Sequence, residues 1–166
     1  YLALPLRRDE KALQQMLHQT KWGELDVLVV DLPPGTGDVH LSLTQMVLLS
    51  GAIIVSTPQD LALIDARRGL EMFLKVNVPV LGLVENMSYF LCPHCEGRSD
   101  IFETGGVHRE AQKLGLPLLA EIPLHMAIRE ASERGRPIAM ADPTSHEAII
   151  YKSLASSIVN NFISKK

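Results

Sequence analysis

Two cysteines in 166 residues cannot build a disulfide framework, so the fold has to be held by a packed core. Aromatic residues are scarce, at 5%, yet 46% of the chain is apolar, which supplies a sizeable interior and lies outside disordered or collagen-like compositions. Charge of one sign is missing too. Sixteen Lys and Arg against nineteen Asp and Glu leave a net charge of −3, with no basic field to attract a nucleic-acid backbone or an anionic membrane. Long hydrophobic runs are also absent: Leu25 to Val30 and Met46 to Val55 are too short or too interrupted to supply the ~20 residues that cross a bilayer. The opening Tyr1 to Arg8 lacks both an initiator Met and the order of a secretory signal, so the expectation is a fragment or trimmed chain. Its length suits one domain, of the usual ~100 to 200 residues, and 1–166 is read as such.

Short apolar runs alternate with segments of helical period, the pattern of an α/β, doubly wound, mostly parallel sheet with helices on both faces. A helix is expected over Asp9 to Gln19, then a strand over Asp26 to Asp31, whose Val27-Leu28-Val29-Val30 is a continuous buried-type run. A helix at about His40 to Leu49, a strand at Ala52 to Thr57 and a helix from Asp60 to about Val76 follow. Asp60 serves as the N-cap of that last helix, and Leu63, Ala66, Leu70, Phe73 and Leu74 form one stripe. Pro79 to Met87 is the third strand and Ser88 to Gly97 a loop; Gly105 to Leu114 is helical and Pro117 to Ile122 the fourth strand. His125 to Arg134 is a helix ended by Gly135. The final helix starts at the capping box Thr144-Ser145-His146-Glu147, with Ala148, Tyr151, Ala155, Ile158 and Phe162 on one face.

Ligands of such sheets sit beyond the carboxyl ends of the strands. After the first expected strand comes Asp31-Leu32-Pro33-Pro34-Gly35-Thr36-Gly37-Asp38. A carboxylate there can hold Mg²⁺ through water, and the Gly35 amide can approach a terminal phosphate because no side chain intervenes. Asp38 is placed to orient water or report the phosphate state. The plain alternative is a tight Pro-Pro-Gly turn capped by Asp31. Thr57-Pro58-Gln59-Asp60 ends the next strand, where a helix-starting turn serves equally well. Glu85-Asn86-Met87 ends the third, where an Asn amide offers a donor and an acceptor to a base edge, or is simply a buried structural amide.

Cys92-Pro93-His94-Cys95 follows in the loop. Cys-x-x-Cys lets two soft thiolates grip one metal or one cluster edge. Two thiolates are half a site, and the chain has no third cysteine, so a shared cluster calls for a symmetric dimer. A redox dithiol and inert cysteines stay open as alternatives. His94, lying between the thiols, reads as solvent-facing, and His108 and His125, without partners at ligand spacing, as surface residues.

The motifs Asp31 to Asp38, Ser56-Thr57-Pro58-Gln59-Asp60, Asn86-Met87-Ser88 and Cys92 to Cys95, in this order, closely resemble the Mrp/ApbC family of iron-sulfur cluster carriers, P-loop ATPases related to the Min and Par ATPases. The likeness runs from about Trp22 to the C-terminus, with Gly105-Gly106, Ile122-Pro123-Leu124 and Ile128 to Ala131 also matching. It implies that Asp31 is the Mg²⁺-linked acid, Gly35 part of the phosphate-sensing switch, and Asn86 and the Pro123 loop neighbours of adenine. It further implies a 4Fe-4S cluster bridged by Cys92 and Cys95 of two subunits and handed to apo iron-sulfur proteins.

One departure counts against nucleotide binding by this chain. The family's phosphate-binding loop ends in Gly-Lys-Ser/Thr, and none of the eleven glycines here is followed by Lys. The expectation is that the chain binds ATP with Mg²⁺ weakly or not at all. Three functions are weighed: an ATP-dependent cluster carrier acting as a homodimer with no nucleic-acid or membrane partner, a Min- or Par-like ATPase switch, and a zinc-knuckle interaction protein. For a carrier the expected compartment is the cytoplasm, or alternatively the mitochondrial matrix.

Overall fold

A computed structural model describes residues 8–33, 37–95, 97–102 and 105–163. They fall into two units, Tyr1–Leu49 and Ser50–Lys166. In the first, helix α1 (Arg8–Gln19) packs against α2 (Asp38–Met46). Leu13 and Leu43 are buried there, at 5% and 1% exposed. α2 begins two residues earlier than expected because Gly37, in extended backbone, takes the N-cap position and Asp38 complements the positive helix end. Val47 is already extended, which ends the helix at Met46.

The expected strand at Asp26 to Asp31 is not formed. Its residues carry no ladder, and Val27, Leu28 and Val29 are 45%, 43% and 85% exposed. An apolar run becomes a buried parallel strand only where neighbouring strands take up its N–H and C=O groups, and no described strand pairs with it.

The second unit is a four-stranded α/β sheet centred on β2. β1 (Ala52–Ser56) pairs in parallel with the first half of β2 (Val80–Leu91), as far as Ser56 opposite Glu85. The two-residue β3 (Arg98–Ser99) pairs antiparallel with Phe90 and Leu91, and β4 (Leu118–Leu124) pairs in parallel with β2 from Leu83 to Phe90. Phe90 faces both Ser99 and Leu124, so β3 takes over the flank of β2 where β1 has ended. The sheet is therefore mostly parallel and flanked by helices, as the α/β reading expected. Residues 88–91 of the loop expected over Ser88 to Gly97 belong instead to β2, where Phe90 pairs with β3 and β4 and Leu91 with β3.

Helix α3 (Asp60–Lys75) lies on β1 and β2. Its buried stripe is Leu63, Leu70, Met72 and Phe73, while Leu74 points outward. Gln59, not Asp60, holds the N-cap position, without a side-chain cap bond. Helix α4 (Gly106–Leu114) packs on β2 and β4 and is tied to α3 by a two-pronged ion pair: Arg67 Nε and Nη2 each lie 2.6 Å from the Glu110 carboxylate oxygens. α5 (Met126–Glu133) and the short α6 (Ile138–Ala141) lead to α7 (His146–Ile158), which packs on β4 and continues into a π-helical turn, Val159–Ile163. The α7 cap sits one residue later than expected: the Ser145 hydroxyl accepts from the Ala148 amide at 3.2 Å. Glu147 is instead buried, with an oxygen 3.1 Å from His125 Nδ1. Ala155 on the expected apolar face is exposed.

Candidate functional site

β2 carries both halves of the unit's chemistry. Its middle residue Glu85 is 0% exposed and accepts from the Ser88 hydroxyl at 2.6 Å and from the Val107 amide at 2.8 Å. A carboxylate buried against the first turn of a helix is stabilised by that helix's positive end. Glu85 thus fastens β2 to the start of α4 and, through Ser88, spans the two residues between them. Those residues, Asn86 and Met87, form a kink. Met87 adopts φ 54°, unusual for a side-chain-bearing residue, and the ladder to β4 shifts register between Asn86 and Phe90.

At this kink the Asn86 Oδ1 accepts from the Met87 amide at 3.0 Å, which leaves its NH₂ to donate elsewhere. Asn86 pairs with Ile122, the residue before Pro123 on β4. The structure therefore places Asn86 next to the residue before Pro123, and Pro123 itself is buried. Thr57, at the end of β1, places its hydroxyl 3.1 Å from Gln59 Oε1. Asp31 and Asp38 belong to the first unit, Asp31 exposed in an irregular segment and Asp38 in the first turn of α2. Gly35 lies outside the described residues.

Beyond the kink, β2 runs to Leu91 and hands the chain to the cysteines. The Cys92 amide donates to the Gly97 carbonyl at 3.1 Å, closing a tight hairpin with Cys92-Pro93-His94-Cys95 at its tip. Both thiols are free, Cys92 half-buried and Cys95 exposed. The backbone amides of His94 and then Cys95 donate to the Cys92 sulfur, aided by the Cys95 thiol, and hold its pKa below the ordinary thiol range. A thiolate supported in this way is a metal ligand in waiting. His94 is exposed, as expected. Among the described residues no group of three or more His, Cys, Asp or Glu could hold a metal ion.

Sequence reasoning missed what surrounds the hairpin. Arg98 on β3 stacks over the Tyr89 ring, 4.1 Å from its centre, and its Nε donates to Asp100 at 3.1 Å. The Tyr89 hydroxyl meets His146 Nε2 at 3.3 Å; burial pushes the Tyr89 phenol up, partly countered by Arg98. His125, expected on the surface, is half-buried; its Nδ1 lies 3.1 Å from a Glu147 oxygen and has no hydrogen-bond partner among the described residues. The one available signal was Tyr89 and Arg98 flanking the Cys-x-x-Cys tip. Glu85 gave no signal beyond its place beside Asn86.

The comparisons agree with these motifs. Over 148 residues the chain is 55% identical to the iron-sulfur cluster transfer protein NUBPL of Mus musculus, covering 89% of this chain and 46% of the mouse protein. An iron-sulfur cluster carrier protein of Pseudomonas fragi is 53% identical over 144 residues, 87% of this chain and 50% of its own. Among solved structures, a nucleotide-binding protein of Archaeoglobus fulgidus in complex with ADP matches with a TM-score of 0.68 and 39% identity, over 76% of this chain and 52% of that one. The chain thus spans about half the length of the curated relatives it matches. With residues 7–159 matched by the family model described as ParA, NUBPL iron-transfer P-loop NTPase, the chain belongs to that family.

Proposed function

We propose that the protein carries an iron-sulfur cluster as cargo, holding a 4Fe-4S core between two copies of the chain through Cys92 and Cys95 of each, and delivers it to apo-proteins in an ATP-dependent cycle. The observation that carries this reading is the hairpin at the end of β2, with two accessible thiols and backbone amides directed at the Cys92 sulfur. Soft thiolates suit iron-sulfur cores, which commonly take four of them, and two per chain makes the dimer a requirement of stoichiometry. The names of the relatives point the same way.

In this reading Asn86 and Pro123 of the second unit serve the base of a nucleotide, while the roles expected of Asp31 in holding Mg²⁺, of Gly35 toward phosphate and of Asp38 toward water rest on the sequence motif. A Min- or Par-like switch would call for a basic amphipathic C-terminal helix, and Lys152 of α7 instead directs its ammonium to the Pro143 carbonyl at 2.6 Å. Anaerobic loading with iron and sulfide tests the proposal. A broad absorption at about 400 nm, lost in Cys92→Ser and in Cys95→Ser, is expected; a colourless protein that takes up zinc instead would return it to the zinc-knuckle class.

A further inference from the structure

The cysteine hairpin is poorly secured by its own backbone. β3 offers only two ladder pairs, Phe90 with Ser99 and Leu91 with Arg98, and both β3 residues are exposed. So short a ladder is marginal in water. Arg98 sits opposite Leu91, so Tyr89, two residues back, is its diagonal neighbour on the same face of the pair. Arg98 lies 4.1 Å over that ring, with Asp100 engaging its Nε, and Tyr89 in turn reaches His146 in the first turn of α7. The adjacent Glu147 contacts His125 in the turn that follows β4. A line of contacts therefore runs from the hairpin to the frame of the unit, at the turn just after Pro123.

Building on the carrier reading, we propose that Tyr89 and Arg98 are positioning residues: their stacked contact anchors the Cys92–Cys95 hairpin to α7 and holds the two thiols in the orientation that receives the cluster. Neither side chain touches the cargo. They act through the hairpin, whose closing Cys92–Gly97 hydrogen bond is the first to open when the anchor is lost. An Arg is needed rather than a Lys because a planar guanidinium lies flat on the ring while its edge still donates to Asp100.

Two readings of the full chain test this, one with cargo and one without. Hydrogen exchange at the Cys92 amide is followed in the unloaded protein, and the half-life of the cluster absorption against a chelator in the loaded one. Arg98→Ala and Tyr89→Ala are each expected to quicken both by about two- to fivefold, the range of one exposed cation–π contact. The double variant should be little worse than either single, because the two residues form one interaction. Tyr89→Phe keeps the stacked ring but loses the hydroxyl that reaches His146, so it should retain only part of the protection, and it separates anchoring from misfolding should Tyr89→Ala unfold. Arg98→Lys should recover only part. Exchange at Cys92 that ignores both substitutions, or single effects that simply add, would overturn the anchor. If the wild-type protein takes up no cluster, the carrier reading falls, while the exchange experiment still decides whether Tyr89 and Arg98 hold the hairpin.

Discussion

At Gly106 a Cβ would stand 2.5 Å from the Pro58 carbonyl oxygen and 3.1 Å from a Leu63 methyl. The first turn of α4 thus rests directly on the backbone that joins β1 to α3. Gly106→Ala is expected to cost about 1–3 kcal/mol, as overpacked substitutions do, read from the midpoint of urea unfolding. Glu110 makes a different kind of residue-level prediction. The Arg67 guanidinium, first by hydrogen bonding and also by charge, holds the Glu110 carboxyl below its ordinary value of 4.5. A carboxylate with a lower folded-state pKa stabilises the fold above its unfolded pKa and loses that contribution as pH falls through the folded one. Stability should therefore decline below about pH 4.5, and in Arg67→Ala that part of the decline should flatten, as thermal melting across acidic buffers would show. Arg67 itself is 46% exposed, so the effect is modest. The Cys-x-x-Cys pair was legible at this scale as two neighbouring thiols at a turn, which the structure shows free and at least partly exposed. Glu85 and His40, both buried, were not, since a single sequence does not tell which polar side chain a fold turns inward.

Among the elements, β2 binds the site together. Removing the Glu85 carboxylate leaves the Val107 amide and the Ser88 hydroxyl without their partner at a fully buried point. Glu85→Ala is expected to cost about 1–3 kcal/mol, the usual penalty for stranding buried polar groups, measured by chemical denaturation. Glu85→Gln should recover only part, because its NH₂ replaces one acceptor with a donor. The helices were read closely from the sequence, α3 within a residue, because one stripe every three or four positions is a strong signal. Strands fared less evenly. The end of β2 was taken for loop because Ser88 and Tyr89 interrupt the apolar run, yet Phe90 finds partners on both flanks. At Asp26 to Asp31 the error went the other way: Val27 to Val30 has the composition of a central strand, but strands depend on partners that periodicity within the segment cannot supply.

For the whole molecule, affinity for nucleotide and capacity for cluster should separate. In the proposed reading Asn86, beside the residue preceding Pro123, serves the base end, but the sequence holds no Gly-Lys step from which to build a phosphate cradle. Most nucleotide affinity in P-loop proteins comes from backbone amides and a lysine gripping the phosphates. A site that offers only the base contacts falls short of the roughly −8 kcal/mol that micromolar binding requires. Calorimetric titration of this chain with a non-hydrolysable ATP analogue is therefore expected to give an affinity weaker than micromolar; tighter binding would mean that other backbone amides replace the cradle. The cysteine hairpin depends on none of this, its contacts running through Arg98 and Tyr89 to His146 rather than through Asn86 or Pro123. A chain that scarcely binds nucleotide should still load iron and sulfide. Because each copy brings two thiols toward a core that takes four, iron analysis should find about two irons per chain. The loaded species should sediment at twice the mass of the chain, with the Cys92→Ser protein staying below it.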